Sequence, residues 1–584
     1  PTLEPGTPHP LHRASASTSS RQPFPSSERE TTAMAASEKS AGNAQPPPVD
    51  AALMVKRTAE EARQATAVEV NMSFLQAVRL YPAAVFWSVI FSTAVIMEGF
   101  DKTLLNNLYA YPVFQRRFGE LQPDGSYQLT SAWQTGLSNG ALVGEVSGLF
   151  FNGWIADKIG YRKTMMGGFV AVTCFVFIIF FAESLPQLLI GEILIGIPWG
   201  IFQTITVTYA SDVCPTQLRA YLTTYVNLCW IIGQLIASGV LRAMVDRNDQ
   251  WGYKIPFALQ WMWPLPLFVA MFFAPESPWW LVRHERYEEA KRVILRLTSR
   301  QDKNFNPDHQ ISMMMNTNAL ERAAQEGTTY ADCFKGVSLR RTEVVCGTWA
   351  VQTLCGSTFM GFSTYFFQQA GMAVENSFNM SLGQYAIGFI GTLLSWVLMK
   401  HFGRRTLYLS GQAIMSVVLM SIGFASLAGR ENVSAQWAIG SLLLVYTFFY
   451  DCTVGPVCYS LVSELPSTRL KTKTVVLARN LYNVMGIGTN ILTPNMLNPS
   501  AWNWGAKSGF FWSGTCFLCF VWTYFRLPEP KGRTYGELDV LFEHGVPARK
   551  FSKTDPASLR PASSGNVSDK SVRVSEVEET SGRR

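Results

Sequence analysis

An all-α membrane protein with twelve transmembrane helices in two six-helix halves is the fold this chain predicts, and three observations predict it. Hydrophobic residues make up 48% of its 584 residues and charged ones only 16%, against about 25% charged in ordinary soluble domains. The apolar residues gather into twelve runs, each near the roughly 20 residues a helix needs to cross a hydrocarbon core ~30 Å thick. Three polar signatures also recur, 243 to 253 residues apart. Gly153-x3-Asp157-x2-Gly160-Tyr161-Arg162-Lys163 returns as Lys400-x2-Gly403-Arg404-Arg405, Asp212-x2-Pro215-x3-Arg219 as Glu464-Leu465-Pro466-x2-Arg469, and Pro275-Glu276-Ser277-Pro278 as Pro528-Glu529-Pro530-Lys531. Each closes an apolar run, which is the pattern of two parallel structural repeats.

Residues 1–70 are rich in Pro, Ser, Thr and Ala and are expected to form a disordered tail. Met34 is the first methionine, so residues 1–33 read as upstream sequence. The N-terminal bundle, 71–275, holds windows near 85–110, 131–156, 164–182, 186–210, 219–241 and 255–274. A linker, 276–342, carries Glu285, Glu288, Glu289, Lys291 and Arg292 at helical spacing and reads as short surface helices. The C-terminal bundle, 343–530, holds windows near 343–367, 382–400, 406–428, 437–461, 473–497 and 508–526. Residues 531–584 read as a second tail, largely disordered because Ser and charge dominate from 545 onward. An even number of crossings puts both termini on one side, and a slight excess of Lys and Arg in the short loops makes that side cytoplasmic. The first helix can direct insertion without a cleavable signal.

Eight of the ten cysteines fall in apolar runs, where a thiol behaves as a small hydrophobe. Cys516-x2-Cys519 has no second ligand pair, so it reads as packing and not as a metal site. The net charge of +7 is modest and no basic stripe interleaved with aromatics is present, which argues against nucleic acid. No nucleophile–base set points to an enzyme. The sequons at Asn379 and Asn432 fall in loops too short to favour glycosylation.

Ionisable residues at membrane depth cost several kcal/mol unless they face a wet cavity or a partner. The first window carries Glu98, Asp101 and Lys102, whose spacing puts them on one face where they can partly neutralise one another. The second holds a glycine period, Gly136, Gly140, Gly144 and Gly148, read as helix packing, with Glu145 beside it. Asp451 stands in the tenth window and Arg479 in the eleventh. All six histidines (His9, His12, His284, His309, His401 and His544) lie in tails or loops, so proton chemistry must use carboxylates, whose affinity a moving arginine can switch.

With Gly153 to Lys163, Pro275-Glu276-Ser277-Pro278-Trp279-Trp280-Leu281, Gly455-Pro456-Val457-Cys458-Tyr459 and Pro528 to Thr534, the chain resembles the sugar porter branch of the major facilitator superfamily. Met97-Glu98-Gly99-Phe100-Asp101, Gly196-Ile197-Pro198-Trp199-Gly200, Tyr221 to Trp230, Leu477-Ala478-Arg479-Asn480 and Trp504 to Phe511 narrow that resemblance to fungal alpha-glucoside:proton symporters of the maltose permease type. It implies that Asp101 is the proton-coupling acid; Glu98, Glu145 and Arg479, singled out above by their place in apolar windows, are the further proton-coupling candidates. Many relatives pair that acid with an arginine on the fourth helix; here the pair reads Gly191-Glu192, and Arg479 is the expected substitute.

The same resemblance suggests a sugar site. Gln352 matches the second of a seventh-helix glutamine pair, with Val351 replacing the first. Asn227 falls at a fifth-helix glutamine position, Ser357 at an asparagine position and Tyr459 at a tenth-helix tryptophan position; Asp451 and Asn483 complete the candidate set. Smaller residues leave room for a second sugar ring. A cytoplasmic gate is implied by Asp157, Arg162, Lys163, Arg219, Glu276 and Arg283, answered by Arg404, Arg405, Glu464, Arg469, Glu529 and Arg533, with Lys400 replacing an expected acid. The expectation is therefore a monomeric plasma-membrane symporter of alpha-glucosides, in which a proton is the coupling ion and no cofactor is needed. A passive facilitator, a hexose transporter and a transporter-like sugar receptor are the alternatives.

Overall fold

The computed structural model describes residues 72–122, 125–299, 305–325, 328–533 and 535–555, with the isolated residues 60 and 559. Nearly all of the tail expected over 1–70, and of 556–584, lies outside the described residues. Twelve membrane-length elements follow in order, one for each sequence window: α1 Pro82–Leu108, α2 Ser131–Ile159, α3 Tyr161–Phe180, α4 Leu185–Val213, α5 Thr216–Met244 and α6 Trp251–Phe273. The second set is α7, running from Gly336–Gln352 through a kink to Ser363–Gln369, then α8 Val374–His401, α9 Arg404–Ala425, α10 Val433–Glu464, α11 Lys471–Leu497 and α12 Ser508–Arg526. Eight of these are long and apolar enough to cross a membrane on length and composition alone; α2, α7, α11 and α12 fall short. Three of those four, α2, α7 and α11, supply polar side chains to the space between the halves.

The two halves repeat one packing scheme. In the first, α2 packs on α4, α1 on α5, and α3 on both α4 and α6; in the second, α8 packs on α10, α7 on α11, and α9 on both α10 and α12. The halves meet where α5 lies along α8 and α2 along α11. Because lipid tails give helices no hydrophobic reason to associate, close backbone approach has to do so. The glycine period of α2 supplies it: a Cβ on Gly144 would overlap the Ile193 carbonyl of α4, and one on Gly148 the Ile197 carbonyl. Gly140 faces Leu189 and Glu192, while Gly136 meets nothing within 4 Å.

Two elements break at membrane depth. In α7, Gly356 adopts φ 101° within a π-turn at Thr353–Ser357, and the Tyr446 hydroxyl donates to the Cys355 carbonyl at 2.9 Å. In α10 the helix breaks at Thr453, and the Gln352 amide donates to the Gly455 carbonyl at 2.8 Å. Freed backbone groups are tolerated at this depth only when protein re-satisfies them.

The repeated signatures all lie at one end of the bundle. At the opposite end the halves are latched together: Gln368 donates to the Ala110 carbonyl at 2.7 Å, Asn498 to the Leu129 carbonyl at 2.7 Å, and Arg242 pairs with Glu375 at 2.5 Å. Arg242 also donates to Asn379, and this first sequon asparagine lies on helix α8, Val374–His401, and not in a loop.

The linker forms the expected short helices, Pro278–Arg283, Tyr287–Leu297 and Pro307–Gln325. The structure departs from the sequence reading on either side of the α7–α12 bundle. Helix α7 begins at Gly336, before the boundary expected at 343, because its polar first turns face protein: Arg341 is buried, pairs with Asp539 at 2.6 Å and lies 4.4 Å from the Phe542 ring centre. The tail expected to be largely disordered from 531 is folded over 535–555, where helix Tyr535–Glu543 and the segment after it bury Leu538, Leu541, Phe542, Val546 and Phe551.

Candidate functional site

Midway along α1, Glu98 and Lys102 lie one helical turn apart and pair at 2.9 Å. Lys102 also pairs with Glu145 of α2, so one ammonium serves two carboxylates that are each 1% exposed. Gln203 of α4 donates to Glu98 Oε1 at 2.5 Å and accepts from the Arg479 guanidinium of α11. A continuous polar chain thus joins the halves: Glu145, Lys102, Glu98, Gln203, Arg479. On the far side, Arg479 lies 4.9 Å from the ring centres of both Trp349 and Tyr482. Trp349 in turn meets Tyr459 at 5.1 Å and Tyr482 at 5.0 Å, so three aromatic rings from α7, α10 and α11 wall the arginine.

Asp101 does not join this chain. It is fully buried and accepts from the Trp199 indole at 3.1 Å and the Gln260 amide at 2.8 Å, inside the N-terminal half. The reason is helical geometry: at 100° per residue, Asp101 points about 100° away from Lys102 and so toward α4 and α6 rather than α2. The structure therefore brings Glu98, Glu145 and Arg479 together, bridged by Gln203, and does not bring Arg479 to Asp101.

The candidate sugar residues divide in the same way. Tyr459 belongs to the aromatic wall. Asn483, one turn from Arg479 on α11, is fully buried, and neither amide atom finds a hydrogen-bond partner among the described residues. Asn227 on α5 and Ser357 at the α7 kink are half-buried. Gln352 donates one amide N–H to the Gly455 carbonyl, a bond that holds α7 to α10. Replacing it with leucine is expected to destabilise the protein by about 1 kcal/mol, the worth of one net hydrogen bond, read as a lower thermal midpoint; an unchanged midpoint with a raised KM would return Gln352 to the sugar. Asp451 stands apart, packed on Gly388 and Gly391 of α8.

The gate residues sort within each half. Glu276 accepts from the backbone N–H of Tyr161 at 3.0 Å, Arg162 at 3.2 Å and Ser277 at 3.1 Å, capping the N-terminus of α3, where anions are favoured. Burial lifts this carboxyl above the ordinary carboxylate range, against the pull of those donors. Glu529 repeats the arrangement on α9, accepting from Arg404 at 2.9 Å, Arg405 at 3.0 Å and Lys531 at 3.2 Å. Arg404 pairs with Glu464 at 3.2 Å. Asp157 and Arg469 are exposed, and Arg219 is half-buried. These bonds tie residues of the same half, while the latches between halves described above lie at the other end.

The family described as "Sugar (and other) transporter" matches residues 87–542. The chain belongs to that family. The general alpha-glucoside permease of Saccharomyces cerevisiae is 44% identical to it over 523 residues, 88% of this chain and 85% of the yeast protein. The maltose permease MAL31 of the same yeast is 42% identical over 519 residues, covering 88% and 84%. Among solved structures, the xylose transporter XylE from E. coli in its inward open conformation superposes with a TM-score of 0.62 over 78% of this chain and 99% of XylE, at 18% identity. The proton:xylose symporter XylE bound to 6-bromo-6-deoxy-D-glucose gives 0.63 over 79% and 100%, at 19%. At that identity the structural likeness speaks to the fold: two six-helix halves of the major facilitator type. The chain is a sugar transporter of many membrane passes, not an enzyme.

Sequence reasoning missed Gln203, Trp349, Tyr482 and Gln260. Gln203 and Gln260 carried a readable signal, since an amide inside an apolar window needs a partner as a charge does. Trp349 and Tyr482 carried none, because aromatic residues are common throughout these windows.

Proposed function

We propose that this transporter carries alpha-glucosides such as maltose into the cell across the plasma membrane, drawn by protons, working as a monomer with both termini in the cytoplasm. The observation that carries the reading is the polar chain from Glu145 through Lys102, Glu98 and Gln203 to Arg479. It spans the two halves, so a rocking motion that parts them must break it at Gln203–Arg479, and an acid relieved of a cation binds protons more tightly. With the termini cytoplasmic, the latched end is external and the conformation is closed to the outside.

The substrate assignment is supported by the named substrates of the yeast relatives and by the chemistry beside Arg479. Sugar sites combine amides, which donate and accept, with aromatic faces that cover the apolar side of the ring. Asn483 offers an unengaged amide, and Trp349, Tyr459 and Tyr482 offer the faces.

Radiolabelled maltose uptake into vesicles containing the protein tests both parts. Uptake is expected to rise above equilibration when an inward proton gradient is imposed, and to be suppressed by other alpha-glucosides. Uptake indifferent to the gradient would remove proton coupling, and competition by hexoses alone would remove the disaccharide assignment.

A further inference from the structure

Arg479 enters the polar chain through Gln203, which stands between it and Glu98. A guanidinium carries five donors in a fixed planar fork, so one acceptor does not by itself fix where the group points. The rest of its setting is aromatic: its centre lies 4.9 Å from the ring centres of both Trp349 and Tyr482.

Of those two rings, Trp349 is the more firmly held. It is 4% exposed, whereas Tyr482 is half-buried. Its ring meets Tyr459 at 5.1 Å and 77°, and Tyr482 at 5.0 Å and 61°, both edge to face. Residues of α7, α10 and α11 thus fix one indole, and that indole lies against the guanidinium. Tryptophan is the aromatic side chain that attracts cations best, and the attraction grows where water is excluded.

The same indole has a second group to offer. A buried tryptophan N–H ordinarily finds an acceptor, as Trp199 does in Asp101, Trp261 in the Thr173 carbonyl and Trp280 in the Asp157 carbonyl. Nε1 of Trp349 is buried and has no partner among the described residues. Trp396 and Trp512 share that lack, but their ring contacts are with Tyr221 and Phe511, and neither lies against a cation among the described residues. Asn483, next in sequence to Tyr482, likewise leaves both amide atoms unpartnered. Unsatisfied donors beside aromatic faces suit a molecule rich in hydroxyls, since each hydroxyl accepts as well as donates.

We propose that Trp349 is the positioning residue for Arg479 and the link between sugar and the proton chain: its ring face holds the guanidinium toward Gln203, while its N–H donates to a hydroxyl of the bound sugar. This deepens the symport reading above and rests on it. A sugar that draws on the indole acts on the ring that aims the arginine, so occupancy of the sugar site is felt at Glu98 and Glu145 without contact to either acid. The two duties separate chemically, because the face and the N–H are different parts of one side chain. Phenylalanine keeps a face and lacks the N–H; leucine lacks both.

The test uses the full chain in proteoliposomes and takes two readings: maltose accumulation under an imposed inward proton gradient, and the KM of maltose exchange without one. Trp349→Leu is expected to lower accumulation about fivefold or more, as the loss of a desolvated cation–ring contact leaves Arg479 free to turn from Gln203. Trp349→Phe is expected to accumulate saturating maltose as wild type does, while its KM rises about fivefold for the one hydrogen bond lost. A merely structural role would move both readings together in both variants. A leucine variant that concentrates maltose as wild type does overturns the proposal, and so does a phenylalanine variant that fails alongside it or keeps the wild-type KM. If Trp349→Leu does not reach the bilayer, Trp349→Met replaces it with the same expectations, having no ring but adaptable bulk. Wild-type uptake that ignores the proton gradient would sink the symport reading, and this role with it; a gradient-driven wild type with any of the overturning results sinks the role of Trp349 alone.

Discussion

Arg479→Ala is expected to abolish concentrative uptake. A proton moving down ~100 mV supplies ~2.3 kcal/mol, enough for roughly 50-fold accumulation of a neutral sugar at ~1.4 kcal/mol per decade. The variant should carry sugar only to equality across the membrane. Arg479 is the polar contact from the C-terminal half to the chain that ends on Glu98 and Glu145. Without it the acids lose the one group whose distance changes when the halves rock, so their proton affinity no longer follows the conformation. Arg479→Lys should recover part of the coupling: the charge remains, but the planar fork that serves Gln203 and lies against two rings does not. Sugar accumulation in vesicles under an imposed proton gradient decides the matter, and an alanine variant that concentrates maltose as wild type does would refute the role.

What the sequence disclosed follows from which solvent does the sorting. A bilayer enforces long apolar windows, so all twelve spans were legible and every one overlaps its helix. The interruptions at Gly356 and Thr453 were not, because they fall inside continuous apolar runs and arise from tertiary partners, Tyr446 and Gln352. The Glu98–Lys102 pair was legible from its i,i+4 spacing. That Lys102 also reaches Glu145, and that Asp101 turns away toward Trp199 and Gln260, depends on which helices become neighbours, which no local spacing records. The folded segment after α12 did carry a local signal: Leu538, Leu541 and Phe542 stand at i, i+3 and i+4, the stripe of a docking helix, and the charge and serine of the following residues obscured it. The repeated signatures gave the two halves correctly, and the structure supplies their physical reason, a glutamate seated on the N-terminus of the helix that follows a glycine.

That seat leads to the second large effect. Glu276→Ala is expected to destabilise the N-terminal half by about 3 kcal/mol or more, since a charged acceptor is withdrawn from three backbone donors and from the helix N-terminus. Glu529→Ala should act alike on the C-terminal half, because its carboxylate holds three N–H groups in the same way. The glycines beneath the two carboxylates should differ. A methyl on either Gly160 or Gly403 collides with the glutamate above it, so each alanine variant displaces the cap. Gly403 has φ −71°, open to any residue, whereas Gly160 has φ 92° and ψ 161°, a region essentially reserved to glycine and costing other residues about 1–3 kcal/mol. Gly160→Ala should therefore lower the thermal midpoint of the purified protein more than Gly403→Ala, although the two occupy matching places in the repeat. Equal midpoints for the two glycine variants would mean that strain at Gly160 contributes nothing. A Glu276→Ala protein melting with wild type would mean that the signature serves only the gate. Should the glutamates prove stabilising as expected, the recurrence of this motif in both halves is explained without any contact between them. Each copy first makes its own half rigid, and a rigid half is what allows a small change at Arg479 to move six helices together.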